Sequence, residues 1–146
     1  YGPGESVAVV PRAAMTTWPS RRLAETAQVI RGVTFDRDDA VTSARPGFSP
    51  ILRAGNIGER LNTAYDLVWV PDRLISDEQY LVPGDIVICM SSGSAAVLGK
   101  TAQLNSQWRG SVGAFCAILR FQGSVDSRFA AHWLRSSRFK QWRDGQ

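Results

Sequence analysis

The sequence predicts an α+β fold: a single domain with a twisted, mostly antiparallel sheet flanked by helices. Three observations carry that expectation. Apolar runs of strand length, Ile86–Met90 and Ala114–Arg120, lie between clusters of turn-forming residues. Two stretches, Arg22–Ile30 and Ser127–Trp142, place apolar residues at helical spacing on either side of the strands. The 146 residues, 44% hydrophobic and 21% charged, suit one globular domain with a sizeable core. No apolar run approaches the roughly 20 residues of a membrane span. No charged n-region precedes an apolar stretch, so no signal peptide is read. The chain opens on Tyr1 rather than Met, which reads as a piece of a longer polypeptide. Residues 1–17 are expected to form a lead-in segment, and 18–146 the domain.

The elements follow in order. Val7–Val10 reads as an edge strand, and Trp18-Pro19-Ser20 as punctuation. Ser20 suits the cap of a helix over Arg22–Ile30, in which Leu23, Ala27 and Ile30 share a face and which Gly32 stops. Residues 32–49 are polar and without period, as befits a binding loop. Strands are expected at Pro50–Arg53 and Asp66–Val70, and a helical turn from Ser76. Pro83-Gly84-Asp85 reads as a turn. The unbroken apolar character of Ile86–Met90 predicts a strand buried on both faces. Ser91–Ser94 turns the chain into a returning strand, Ala95–Leu98 and Lys100–Leu104, interrupted by Gly99. A polar loop, Asn105–Ser111, leads to the strand Ala114–Arg120. The closing helix Ser127–Trp142 takes Asp126 or Ser124 as its cap. Its pattern turns Phe129, Ala130, Trp133 and Leu134 inward and shows Arg128, His132, Arg135 and Arg138 to solvent.

Charge narrows the function. Of 17 cations only Lys100 and Lys140 are lysines, and arginine presents a planar fork to phosphates and guanine edges. A biased base composition of the source genome would enrich arginine as well. Distribution adds to the count: residues 1–100 carry 10 cations against 11 acids, residues 101–146 carry 7 against 2. A basic last third favours a polyanionic partner.

The chain is poor in catalytic chemistry. A single His and two Lys leave little for a histidine metal site, a His-based triad or a lysine-dependent nuclease. Gly93 to Gly99 before Lys100-Thr101 looks like a phosphate-binding loop, but five residues separate the glycines where four are needed. Asp36, Asp38 and Asp39 lack the Gly and distal Glu of a calcium loop and read as solvated. Cys89 and Cys116, in apolar runs, make no zinc site; they read as buried thiols in a reducing compartment, with a cross-strand disulfide as the alternative. His132 has no Ser or Cys partner at recognisable spacing. What remains is binding: the Ser91–Ser94 turn offers hydroxyls and N–H groups, and loops rich in Arg, Asn and Gln suit base edges.

The order of segments resembles a target recognition domain of a Type I restriction-modification specificity subunit. The resemblance runs through Trp18-Pro19-Ser20-Arg21-Arg22-Leu23-Ala24-Glu25, the loop Gly32-Val33-Thr34 and the strand Pro50–Ile57. It continues in Leu81-Val82-Pro83-Gly84-Asp85-Ile86-Val87, Ser92-Gly93-Ser94, Leu98-Gly99-Lys100-Thr101-Ala102 and Gly113–Arg120. Phe35 stands where the family often carries a proline, and the chain holds one such domain without the family's second domain and spacer helices.

The resemblance implies that the domain reads one half of a split, asymmetric sequence in double-stranded DNA. Adenine methylation, cofactor binding and ATP-driven cleavage would then belong to other subunits. This chain would be a non-catalytic, cytoplasmic component with no metal or cofactor of its own. Its partners would be duplex DNA, the methyltransferase (modification) subunits and, through them, the restriction subunit, with no membrane role. Contacts to DNA are expected from Thr34, Arg53, Asn56, Ser92, Ser94, Lys100, Gln107 and Arg109 in loops, and from Arg128, Arg135 and Arg138 on the basic helix face. Arg53 could equally pair with a buried acid. Arg109, beside Gly110 in a polar loop, is the better groove candidate. The alternative from another class is a protein-interaction module without a DNA role, anchored by Trp108, Phe139 and Trp142.

Overall fold

The computed structural model describes residues 21–145. The expected strand at Val7–Val10 and the Ser20 cap lie outside the described residues. The α+β class and the mostly antiparallel pairing hold, with the strands divided between two sheets. The first orders its strands β1 (Ala27–Arg31), β7 (Cys116–Phe121), β4 (Ile86–Cys89) and β5 (Thr101–Gln103), all antiparallel. The second places β2 (Phe48–Leu52) between antiparallel β3 (Val68–Pro71) and parallel β6 (Ser111–Val112). A single turn, α1 (Leu23–Thr26), precedes β1, and α2 (Ser127–Leu134) and α3 (Ser137–Asp144) close the chain.

The strand β4 explains the layering. Val87 and Cys89 point toward the second sheet and bury with Ile30, Leu52, Val112 and Ile118. Ile86 and Ile88 point the other way and bury with Leu119, Ala130, Leu134 and Phe139 under the helices. Both faces of the strand are covered, as its continuous apolar run requires. A third cluster, Val33, Ile51, Val70 and Ile75, fills the outer side of the second sheet. Fully burying each such side chain contributes about 1.5–3 kcal/mol.

Several expectations are corrected. The helix over Arg22–Ile30 is one turn followed by strand β1. Ala27 and Ile30 are buried, but β-branched Val29-Ile30 pairs with Leu119 and Ile118 of β7, and tertiary pairing overrides helical spacing. Gly32 ends no helix. It lies where the chain crosses between sheets, and a Cβ there would collide with the Gly113 carbonyl. The strand from Asp66 starts at Val68, because Asp66 takes a left-handed φ of 55°. Ala95–Leu98 is turn, not strand, and Gly99 bends it with φ 76°. Ser111–Val112, expected at the edge of a loop, forms β6. Two residues are too few for a periodic signal.

The closing helix is two helices. Asp126 caps α2 by accepting from the Arg128 N–H, and Ser136 caps α3 by accepting from the Phe139 N–H. Ser136 adopts an extended conformation that breaks the continuous helix. The break narrows the buried stripe of α2 to Ala130 and Leu134. Phe129 and Trp133, expected inside, are 68% and 42% exposed.

Candidate nucleic-acid interface

A cavity of about 970 Å³ forms a groove beside the second sheet. Thr34, Arg37, Arg53 and Asp66 stand on its walls, and Phe115, 70% exposed, projects at one side. The turn that carries Arg53 and the residues up to Asp66 is held by Asn56. Its Oδ1 accepts from the Arg53 N–H at 2.9 Å, and its amide donates to the Asn62 and Tyr65 carbonyls. Asn56 is 1% exposed with both amide protons spent, so it shapes the groove rather than offering them to a base. Arg53 is exposed and meets no buried acid. Its guanidinium donates to the Asp66 carbonyl at 3.3 Å, leaving further donors open to the groove.

The other expected contacts are dispersed. Lys100 and Arg135 line a cleft under the helices, and Arg128 and Arg135 line its neighbour. Arg128 pairs at 3.4 Å with Asp126. Arg135 donates to the carbonyls of Gly58 and Glu59. Ser92 Oγ accepts from the Ser94 N–H, and both serines lie in the turn before β5. Arg109 lies over the Tyr80 ring at 4.1 Å from its centroid. Gln107 and Arg138 are exposed and line none of these three cavities. Sequence reasoning missed Arg37 and Phe115 on the groove, and Arg60, Thr101, Lys140 and Arg143 on the clefts. Charge pointed to the last third of the chain, but only folding brings the loop at Gly58–Arg60 against it.

Comparison with known proteins decides the kinship. Over 123 residues, 84% of this chain, it is 37% identical to the Type I restriction enzyme EcoKI specificity subunit of Escherichia coli (strain K12). Identity and coverage are the same for the StySPI specificity subunit of Salmonella potsdam. The chain is a homologue of Type I restriction enzyme specificity subunits. It spans about a quarter of their length, 26% and 27%. No family model matches it. Its fold is similar to part of the HsdS subunit from Thermoanaerobacter tengcongensis, with a TM-score of 0.62 at 20% identity over 90% of this chain and 29% of that one. A chain from a structure concerned with assembly and conformational transition of the type I R-M system gives a TM-score of 0.61 at 20% identity, over 92% of this chain and 30% of that one.

The segments that carry the sequence resemblance meet in space. Val33-Thr34 and Arg53–Asn56 line the same groove, together with Gly113–Cys116. Leu81–Val87 supplies Asp85, 1% exposed, which accepts from the Arg120 guanidinium at 2.8 and 3.0 Å. That ion pair anchors the turn before β4 to β7. Hydrogen bonding to Asp85 raises the Arg120 pKa above its ordinary value, so the guanidinium stays charged. Among the described residues no cluster of three metal-ligating side chains forms.

Proposed function

We propose that this domain reads one half of a bipartite sequence in double-stranded DNA and delivers that choice to a Type I restriction-modification complex. The observation that carries the reading is the 37% identity to two specificity subunits over 84% of the chain. The groove supports it: Arg53, Arg37 and Thr34 present hydrogen-bonding groups from a scaffold fixed by two sheets. Arg is the residue that makes the commonest bidentate contact to guanine, and Thr contacts base edges or the thymine methyl. Ser92, Ser94, Gln107 and Arg109 are further loop contacts within this reading. In the same reading the chain is non-catalytic, needs no cofactor and acts in the cytoplasm. It works beside methyltransferase subunits and, through them, the restriction subunit. No helix among the described residues is long and apolar enough to cross a membrane.

Selection from a randomised duplex library at two salt concentrations tests this. A short enriched word, bound more weakly at the higher salt, is the expected result. Binding with no base preference overturns sequence reading. Within an enriched word, Arg53→Ala is expected to cost about 1–3 kcal/mol and to relax one base position.

A protein-contact role has one supporting observation. Phe129 and Trp133, one helical turn apart on α2, leave an exposed aromatic face beside Trp142 of α3, itself 61% exposed. Such a face suits a neighbouring subunit and is compatible with DNA reading elsewhere on the domain. The other anchors expected for a pure protein-interaction module are spent in the fold, since Phe139 is buried and Trp108 packs against the core.

A further inference from the structure

The cleft under the helices carries chemistry that base reading leaves unused. Two cavities of about 270 and 320 Å³ share Glu59, Thr101 and Arg135 in their walls. Arg60, Arg128 and His132 complete the first, while Lys100, Lys140 and Arg143 bring charge to the second. Glu59 is the one acid lining either, against six cations.

Thr101 lies between them. Its register opposite Ile88 turns it toward the helix layer, where it is 5% exposed. Among the described residues, its hydroxyl is the one buried side-chain polar atom without a hydrogen-bond partner. Buried polar groups are almost always satisfied, so an orphan hydroxyl lining a basic cleft calls for a partner.

The walls are fixed by contacts of their own. Arg135 spends its guanidinium on the carbonyls of Gly58 and Glu59, so it pins the loop and is not a free ligand. The Arg143 stem lies on Gly99, where a Cβ would collide with it, and its Nε pairs with Asp144 at 3.1 Å. Helix α3 opens at Ser136 in the same wall, and helix N-termini favour anions.

We propose that this cleft seats one phosphate of the DNA backbone. The Thr101 hydroxyl donates to a phosphate oxygen, and Lys100, Lys140 and the free end of Arg143 neutralise it. The proposal rests on the DNA-reading function and divides its labour. The groove sets Arg37 and Arg53 against Asp66 in its lining, far fewer cations than the cleft holds, and the cleft supplies affinity without base preference. One loop connects the two, with Arg53 on the groove and Arg60 on the cleft.

Duplex binding by the whole 146-residue chain, measured across a salt series, tests it. The double variant Lys100→Ala/Lys140→Ala is expected to bind all duplexes more weakly by the same factor. The slope of log K against log salt should become shallower by about one, the value for one lost phosphate contact. Thr101→Val, which keeps the shape and removes the hydroxyl, should weaken binding severalfold without lowering the melting temperature. An unchanged slope in the double variant, or wild-type affinity in Thr101→Val, overturns the seat while leaving DNA reading intact. If the wild-type chain binds no duplex, the DNA reading fails. Titration with inorganic phosphate, followed by amide shifts, then decides the seat. Shifts confined to Lys100, Thr101 and Ser137 uphold a phosphate site for free phosphate, and no shifts overturn it.

Discussion

Cys89 and Cys116 stand directly opposite one another across β4 and β7, both buried and both free thiols. Burial, and then the neighbouring Cys89, pushes the Cys116 thiol up to about 12. Burial shields both side chains from reagent, and Cys116 is further held from its reactive thiolate form, so at pH 8 a soluble thiol reagent should label neither cysteine in the folded chain and both after denaturation. Prompt labelling of the native chain would show that the β4–β7 pair opens. Asp85 and Arg120 give a second expectation at this scale. Arg120→Met leaves a carboxylate that is 1% exposed and still accepts from the Val82 N–H, and should cost about 3 kcal/mol in urea unfolding. A cost below 1 kcal/mol would mean that water replaces the guanidinium. Burial of the thiols was legible in their apolar runs. The partner of Asp85 was not, because nothing local links a turn residue to an arginine 35 positions away. Asn56 is the same case: as a polar residue in a loop it suggests recognition, and only its three hydrogen bonds reveal a structural post.

The two closing helices are where local rules and tertiary structure meet. The sequence shows one amphipathic stretch, and the cap at Ser136 divides it, since a side chain that satisfies the Phe139 N–H starts a new helix. Ser136→Ala should cost about 1 kcal/mol of stability, read from denaturant midpoints. An unchanged midpoint would mean that the tilted contact of Trp133 with Phe139, ring centroids 5.3 Å apart, sets the break instead. The cap of α2 adds a pH dependence. Hydrogen bonds from the Arg128 backbone and side chain hold the Asp126 carboxyl below its ordinary 3.8. Its contribution is therefore complete above that value and is lost as pH falls through the lower, folded value. Wild type and Asp126→Asn should differ in melting temperature at neutral pH and converge in strong acid. A constant gap at all pH values would rule out the carboxylate as the cause. The misread helix at Arg22–Ile30 has the opposite origin. Leu23, Ala27 and Ile30 fit a helical face, but Ala27 and Ile30 are buried because β1 pairs with β7, information that lies 90 residues away in the chain. Interior strands buried on both faces such as β4 announce themselves, while a two-residue strand such as β6 or an edge strand such as β1 depends on partners the sequence does not name.

At the scale of the molecule, the uneven charge acquires a place. The basic last third wraps α2 and α3 against β5, and the Gly58–Arg60 loop adds another cation to the same side. The groove assembles from segments near residues 34, 53, 66 and 115, four stretches that no local pattern joins. Two sheets that share a core hold these segments, so the groove's exposed residues, Arg37 and Arg53 among them, can vary without disturbing the scaffold. On the proposed DNA-reading function, that separation would make the domain portable. Replacing the matching quarter of the EcoKI specificity subunit with residues 21–145 should yield a complex that modifies DNA at a new sequence. The change should be confined to one half of the bipartite site, with the spacing and the other half retained. Mapping methylated adenines in a host carrying the hybrid reads this directly. Changing the groove of the hybrid, for instance with Arg53→Ala, should then relax one position of the new half. Altering Lys100 and Lys140 should lower modification at every site alike. A hybrid that folds, assembles and still modifies the original sequence in both halves would overturn the assignment of sequence reading to this domain.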